Sequence, residues 1–266
     1  MVVPKPKVEV VSPRRVPAPR KAVLLINEEL DYTIPSRPFV CAWILLALLT
    51  TSIGFWSYSI TIMLMFLCAI LLWISFYSTA LHYALDAEEF TRLPLVGEAF
   101  VTFQSHHFPR WINTIHRKPV VDLWGELNFV SMVNLVVPVL IFRFRYREVF
   151  VAWGTLMLVA CYGMLCHRWA HTPASAKPAI ARALQRAHLA LKPAEHWKHH
   201  TQVSAHEAGH QAGSVQNYDL SFGWSNMLFN GVLKVLPSPR LWLAFIVVST
   251  LTQVSALAML LRWLER

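Results

Sequence analysis

The chain has 266 residues, of which 55% are hydrophobic and only 15% are charged, whereas about a quarter of an average soluble chain is charged. This balance excludes intrinsic disorder, and the mean hydropathy of +0.42 indicates a membrane protein. The net charge of +9 suits contact with anionic lipid headgroups. We therefore expect a membrane partner and no nucleic-acid partner.

Residues 1–38 are rich in lysine, arginine and proline and show no helical period, which predicts a disordered basic arm. Two uncharged apolar segments follow, Phe39 to Trp56 and Ile60 to Leu81. Each can form a membrane-spanning helix, which takes about 20 residues. The short connection Ser57 to Ser59 leaves room only for a tight turn, so these two helices are predicted to form a hairpin.

Three further apolar segments are Leu127 to Phe142, Val149 to Cys166 and Leu241 to Leu261. The first of them is short, so residues 39–266 are predicted to form an all-α polytopic membrane domain with four to five transmembrane helices. The basic arm places the N-terminus in the cytoplasm. Counting crossings then places polar segments 82–126 and 167–240 on the cytoplasmic side. The same count puts the Arg143–Arg147 cluster outside, against the positive-inside rule, unless the third span is re-entrant.

All twelve histidines lie between residues 82 and 210, at or beyond the ends of apolar segments. This confinement favours a metal site over scattered structural histidines. His167 and His171 are four residues apart and share a helical face. The segment from His196 to His200 has the pattern H-x-x-H-H, and His106 adjoins a second histidine, His107. So many imidazoles exceed the needs of one tetrahedral zinc and predict two metal ions. Because imidazole binds zinc, copper, iron and nickel, the spacing does not identify the metal.

Two other functional classes compete with this interpretation. The segment His206-Glu207-Ala208-Gly209-His210 spells H-E-x-x-H, the pattern of zinc metalloproteases in which the glutamate is the general base. Gly209 and Gly213 weaken a helix there, and a protease would leave most histidines unexplained. A metal transporter would need ionisable residues inside the spans, and the apolar segments contain none.

Several short motifs follow one another along the chain, namely Phe103-Gln104-Ser105-His106-His107, His116, His167-Arg168-Trp169-Ala170-His171, Leu184-Gln185-x-x-His188, His196-x-x-His199-His200 and Gly223-Trp224-Ser225-Asn226. Their order resembles the Kua-type lipid desaturases, the family that includes plasmanylethanolamine desaturase and the plant trans-3 acyl phosphatidylglycerol desaturase. The resemblance covers about Ser78 to Asn230, and Met164-Leu165 and Phe108 depart from the family pattern.

The resemblance implies an oxygen-dependent enzyme with two irons that desaturates a phospholipid chain near its headgroup. It favours a plasmanyl lipid, converted to the vinyl ether, and leaves open an acyl-lipid desaturase or a hydroxylase. It also implies an external electron donor, either cytochrome b5-like or a ferredoxin, on the cytoplasmic side. The expected metal ligands are His82, His106, His107, His167, His171, His196, His199, His200 and His206.

Four further residues are possible ligands in this interpretation. Asp86 lies one helical turn after His82 and could instead orient it. His188 is expected to share a helical face with Leu184 and Leu191 and to point inward. His116 belongs to the family pattern, and His210 competes with His206 for the last histidine position.

Overall fold

The computed structural model describes residues 37–94, 97–107, 119–125, 127–141, 146–207 and 216–266, and these residues form helices and no strand. The predicted arm at 1–38 lies, up to residue 36, outside the described residues. The α-helices, numbered in chain order, are α1 (Arg37–Ser57), α2 (Ile60–Leu85), α3 (Gly97–Gln104), α4 (Val120–Gly125), α5 (Asn128–Ile141), α6 (Tyr146–His171), α7 (Ala179–Arg186), α8 (Pro193–Glu207), α9 (Asn226–Leu233) and α10 (Pro239–Leu264). Short 3-10 turns cover Glu88–Arg92 and Ser105–His107.

Five apolar stretches are long enough to cross a membrane, which confirms the predicted polytopic all-α fold. Four of them are single helices, namely α1, α2, α6 and α10. The third stretch, Val120–Leu140, is formed by α4 and α5 together. The sequence-based segment began at Leu127 and looked short because it left out α4. The chain is an integral membrane protein.

Helix α6 is the central helix of the bundle. Burial inside the protein covers 67% of its most apolar stretch, against 28–39% for the other four spans. Gly154 lets α1 approach α6 closely, because a Cβ atom there would lie 2.7 Å from the Ala47 carbonyl oxygen. Indole donors also join the spans: Trp43 and Trp153 donate to the Ser131 hydroxyl at 2.9 and 3.1 Å. Such small-residue and polar contacts stabilise helix packing in lipid, where no hydrophobic force acts between helices.

The hydrogen bonds at the helix termini show which segments share an end of the bundle. At one end, Arg37 at the start of α1 donates to Asp122 in α4 at 2.8 Å. At the other, Arg147 at the start of α6 donates to Glu265 after α10 at 3.0 Å. The C-terminal ends of α2 and α6 therefore meet at the first end. The two polar segments share this side, as predicted, and Arg147 lies at the opposite end.

Candidate metal centre

Eight of the nine expected ligands, together with the possible ligand Asp86, gather at the end of the bundle where α2 and α6 terminate. The last turns of these two spans supply one group, α8 supplies another, and the 3-10 turn after α3 supplies the third. Because each helix brings residues spaced by three or four, their imidazoles point toward a common region. The gathered residues are His82, Asp86, His106, His107, His167, His171, His196, His199 and His200.

Centre A consists of His82, Asp86, His107 and His199, whose ligand atoms all lie within 4.8 Å of one another. The Asp86 Oδ2 atom lies 3.2 Å from the Nε2 atoms of both His82 and His199. The His107 Nε2 atom lies 3.2 Å from that of His199 and 3.5 Å from that of His82. Three nitrogens and one carboxylate thus converge from α2, α8 and the 3-10 turn.

The donor set of centre A fits a cation. The Nδ1 atoms of His82 and His199 donate to the backbone carbonyls of Tyr218 and Gln216 at 2.8 and 3.1 Å. In a neutral imidazole this leaves Nε2 as an acceptor, and it faces the carboxylate of Asp86, also an acceptor. Neither oxygen of Asp86 accepts a well-formed hydrogen bond from the described residues. A metal ion between these atoms would satisfy all of them.

Centre B consists of His167, His171 and His196, all buried. Their Nε2 atoms form a triangle with sides of 3.1, 3.1 and 2.8 Å. A neutral Nε2 either donates or accepts, so at least one side of the triangle joins two nitrogens of the same kind. Nitrogens about 2.1 Å from one ion and at right angles lie about 3 Å apart. The triangle therefore has the dimensions of three adjacent ligands.

His106 and His200 extend centre B. The Nε2 atom of His200 lies 2.9 Å from that of His196, and the rings of His106 and His200 are 5.3 Å apart. The His106 Nδ1 atom donates to the Phe103 carbonyl, and its Nε2 atom is buried without a hydrogen-bond partner in the described part of the chain. Both imidazoles can therefore offer a lone pair next to centre B.

Burial keeps the histidines that lie outside the spans in their neutral form, which is the form that binds metal. Desolvation, followed by the charge of His82, lowers the pKa of His106 to about 3. Burial is likewise the main cause that lowers the pKa of His107, His196, His199 and His200. Burial alone would raise the pKa of Asp86, but His107 and His82 hold it well below its ordinary value. At neutral pH these five imidazoles are thus neutral, and Asp86 is a carboxylate.

A buried carboxylate that the sequence analysis missed holds the loop behind centre A. Asp219 is fully buried and accepts hydrogen bonds from the Ser221 amide at 2.7 Å and the Ser225 hydroxyl at 3.0 Å. The Ser75 hydroxyl on α2 also donates to it. Asp219 thereby ties the loop that carries the Tyr218 carbonyl to the helix that carries His82. The only signal in the sequence was that Asp219 lies shortly before the Gly223 motif.

The Gly223-Trp224-Ser225-Asn226 motif has a structural role in this loop. Gly223 has a φ of +83°, and a Cβ atom there would lie 2.5 Å from the Glu195 Oε2 atom. Asn226 accepts a hydrogen bond from the Asp219 amide at 2.9 Å. The motif therefore closes the loop against the start of α8.

The expectation for His188 was wrong. Helix α7 ends at Arg186, and His188 has a φ of +58°, so the predicted helical face does not reach it. Its side chain is exposed, with Nε2 lying 2.7 Å from the Lys192 Nζ atom. Three other candidates lie outside the described residues or have side chains that are not described: His116, His206 and His210.

The fold and the site together define a polytopic helical membrane protein with two buried, histidine-rich groups that could hold metal ions. The model of the lipid desaturase domain family matches residues 71–232, and the chain belongs to this family. Over 200 residues it is 26% identical to the plasmanylethanolamine desaturase of Myxococcus xanthus. The match covers 74% of this chain and 60% of that relative. No solved structure matches this chain significantly.

Proposed function

We propose that this protein is an oxygen-dependent di-iron desaturase of membrane phospholipids. One observation carries the proposal: two buried donor sets lie side by side, and a single helix, α8, contributes His199 to centre A and His196 to centre B. The rings of these two histidines are 6.2 Å apart. Membership of the lipid desaturase domain family supports the assignment.

The nine gathered residues would hold the two irons, with His82, Asp86, His107 and His199 on one and His167, His171 and His196 on the other. His106 and His200 complete the second set, and His206 is a further candidate ligand. Imidazole and carboxylate donors suit iron, among other metals. When bound, the two irons would supply the reduction of O2 to two waters, which takes two electrons from a donor, two protons from solvent and two hydrogen atoms removed from adjacent chain carbons.

The protein's own residues fix where along the lipid this reaction takes place. The ligands gather where the apolar helices α2 and α6 end, so we infer that they lie close to the membrane surface, and their burial would keep water away from the metals. A chain whose headgroup stays at the surface would present its first carbons to the site. We therefore infer a double bond close to the headgroup, in an alkyl-ether lipid that becomes a vinyl ether. The name of the Myxococcus xanthus relative supports this substrate.

Related reactions and a different class remain as alternatives. An acyl-lipid desaturase or a hydroxylase would use the same donor sets. The metalloprotease pattern His206-Glu207-x-x-His210 extends beyond the described residues, and the family assignment gives it no support. The electron donor is proposed to be cytochrome b5-like or a ferredoxin, because no haem, flavin or iron–sulfur motif occurs in the sequence.

The donor would dock on the cytoplasmic side, where we propose that the site lies. Cysteine labelling tests this placement in a variant without the four native cysteines. Ala194→Cys, exposed at the start of α8, should be labelled from the cytoplasm, and Arg266→Cys, at the opposite end, from the other side. The reverse pattern would contradict the placement.

Lipid analysis tests the reaction. A host without vinyl ethers, supplied with an alkyl-ether phospholipid and an electron donor, should gain acid-labile vinyl ethers when it expresses this chain. His200→Ala should abolish them, whereas Thr201→Ala, which changes an exposed neighbour on α8, should not. A new acyl double bond or a hydroxyl group instead would favour the alternatives. No new lipid at all would contradict the proposal.

A further inference from the structure

The segment that connects the two helices bearing centre B forms a pocket with four cationic residues in its lining. It has a volume of about 510 Å³, and Lys177, Arg182, Arg186 and Lys192 line it without any acidic residue. Lys177 follows His171 by six residues, and Lys192 precedes His196 by four. The pocket thus lies on the connection between two ligand-bearing helices, at the end of the bundle that holds the metal centre.

These cations have no counter-ion in the protein as described. No carboxylate of the described residues lies within ion-pair distance of any of the four. The nearby Glu195 side chain lies against Gly223. Arg182 donates to the Lys177 carbonyl, so these two cationic residues are fixed next to each other. Concentrated positive charge without a partner attracts an anion.

Lys177 is held in place by hydrogen bonds, as expected of a preformed binding site. Its side chain is only 6% exposed, and its Nζ atom donates to Gln185 Oε1 at 3.0 Å. Gln185 is held in turn, because its amide donates to the Leu191 carbonyl at 2.8 Å. Burial and then the charge of Arg182 lower the pKa of Lys177. Among the described residues, the Lys177 ammonium has the neutral amide of Gln185 as its hydrogen-bond partner, and a bound anion would add the charge partner that it lacks there.

The surroundings of the pocket indicate which anion it receives. Ile180 is 61% exposed and Leu189 is 46% exposed, and both belong to the segment that lines the pocket. Trp224 is also exposed, and its indole donates to the His188 carbonyl at 2.6 Å. Exposed aliphatic and tryptophan side chains beside basic residues are typical of the membrane interface. A phosphate attached to lipid chains satisfies both the cations and the apolar rim.

We propose that the pocket lined by Lys177, Arg182, Arg186 and Lys192 binds the phosphate of the lipid substrate's headgroup. That the bound lipid is the enzyme's substrate rests on the proposed function, whereas the binding of a phosphate does not. The pocket lies on the connection between the two helices that carry centre B, and it holds one end of the lipid at a fixed place. It thereby sets which chain carbons reach the metals.

Binding to the purified full-length protein in detergent tests the proposal without turnover. The probe is a short-chain phosphatidylethanolamine, and the readout is the midpoint of thermal unfolding followed by tryptophan fluorescence. Arg186→Gln with Lys192→Gln should weaken the apparent affinity by about 10- to 30-fold, since each cation at a membrane surface attracts an anionic group. The charge-conserving pair Arg186→Lys with Lys192→Arg should keep most of the affinity and shows that folding is intact.

A matched control removes two charges elsewhere on the same side. Lys198→Gln with Lys234→Gln changes two exposed lysines outside the pocket and should leave the affinity unchanged. Equal weakening in this control would reduce the effect to net charge and overturn the proposal. Unchanged phospholipid affinity in the pocket variant would also overturn it.

Two further arms identify the source of the anion. Inorganic phosphate should bind far more weakly than the phospholipid, and a short-chain diacylglycerol should lose the dependence on Arg186 and Lys192. Equal binding of inorganic phosphate would assign the pocket to a soluble phosphate compound and overturn the headgroup assignment. If the variant with Arg186→Gln and Lys192→Gln lost binding to an acidic ferredoxin but kept lipid binding, the pocket would be a protein docking site. That result would also overturn the proposal. Phosphate binding in a protein that desaturates no lipid would leave the pocket standing and contradict only the proposed function.

Discussion

Centres A and B lie side by side, but the protein holds their ligands in different ways. In centre A, the rings of His82 and His199 are fixed by backbone carbonyls of one loop, and a carboxylate completes the set. In centre B, the Nδ1 atoms of His196 and His200 make no hydrogen bond within the described part of the chain. Among the described residues, helix packing is what orients these two rings. Centre A is therefore the more preorganised of the two, and centre B should release its metal first.

The largest effect should come from removing one ligand of each centre in turn. His196→Ala and His199→Ala change neighbouring positions on α8, and each should lower activity by more than the about 10- to 100-fold loss typical of residues that only support ligands. Each variant should also lose a different metal ion, because His196 belongs to centre B and His199 to centre A. Activity and metal content measured on the same preparation check both statements.

Lys198→Ala is the matched control for this pair, since Lys198 lies between the two histidines and is exposed. It should keep both metals and full activity. Loss of both metals in His196→Ala alone would show that the centres are one coupled site and would break the comparison.

The carboxylate of centre A provides the next effect. Asp86→Asn keeps the shape of the side chain and removes its charge, so the three imidazoles of centre A lose their anionic partner. We expect metal affinity at centre A to fall by about 100-fold, while centre B keeps its metal. Titration of the metal-free protein with ferrous iron measures the two affinities separately, and equal weakening at both centres would be the contrary result.

Much of this site can be predicted from the sequence. The rest cannot, because it depends on how segments that are far apart in the chain pack together. The apolar runs predicted four of the five spans to within a few residues, whereas the third was predicted without α4. The four-residue spacing of His167 and His171 predicted their shared face. Local patterns such as these depend only on helix geometry. The assignment of His106 and His199 to different centres depends on how distant segments pack, which spacing does not encode.

Asp219 illustrates the same limit. Its partner Ser75 lies 144 residues away in the chain, so no local pattern connects them. For His188, a local pattern gave a wrong prediction. Its spacing to Leu184 suggested an inward face, but the helix ends at Arg186 and the backbone turns.

Asp219 supports a smaller prediction about preorganisation. Asp219→Asn would remove the charged acceptor of the Ser75, Ser221 and Ser225 hydroxyls, at a cost of about 2–4 kcal/mol in unfolding free energy. The Tyr218 carbonyl would then hold His82 less firmly. We expect iron affinity at centre A to fall about 10-fold with centre B unaffected.

Ser221→Ala serves as the control for Asp219→Asn, because it removes one hydroxyl and keeps the carboxylate. It should cost only about 1 kcal/mol and leave iron affinity unchanged. A loss of stability in Asp219→Asn with unchanged iron affinity would show that the loop does not orient the ligands.

The smallest effect concerns the glycine that closes this loop. Gly223→Ala would place a methyl group near Glu195 at a φ of +83° and should destabilise the protein by about 1–3 kcal/mol. Gly231→Ala is its counterpart: the residue lies in helix α9 with no atom within 4 Å of an added Cβ, and alanine there should stabilise by about 0.5–1 kcal/mol. Thermal unfolding of the two variants tests the pair, and equal effects would contradict the role of the loop.

Metal content of the purified protein tests the central claim most directly. The full chain, purified under mild conditions and analysed for all transition metals together with its protein concentration, should contain close to two irons per chain. Partial chelation should remove one iron before the other and leave His82, Asp86, His107 and His199 occupied. One zinc per chain and no iron would contradict the account.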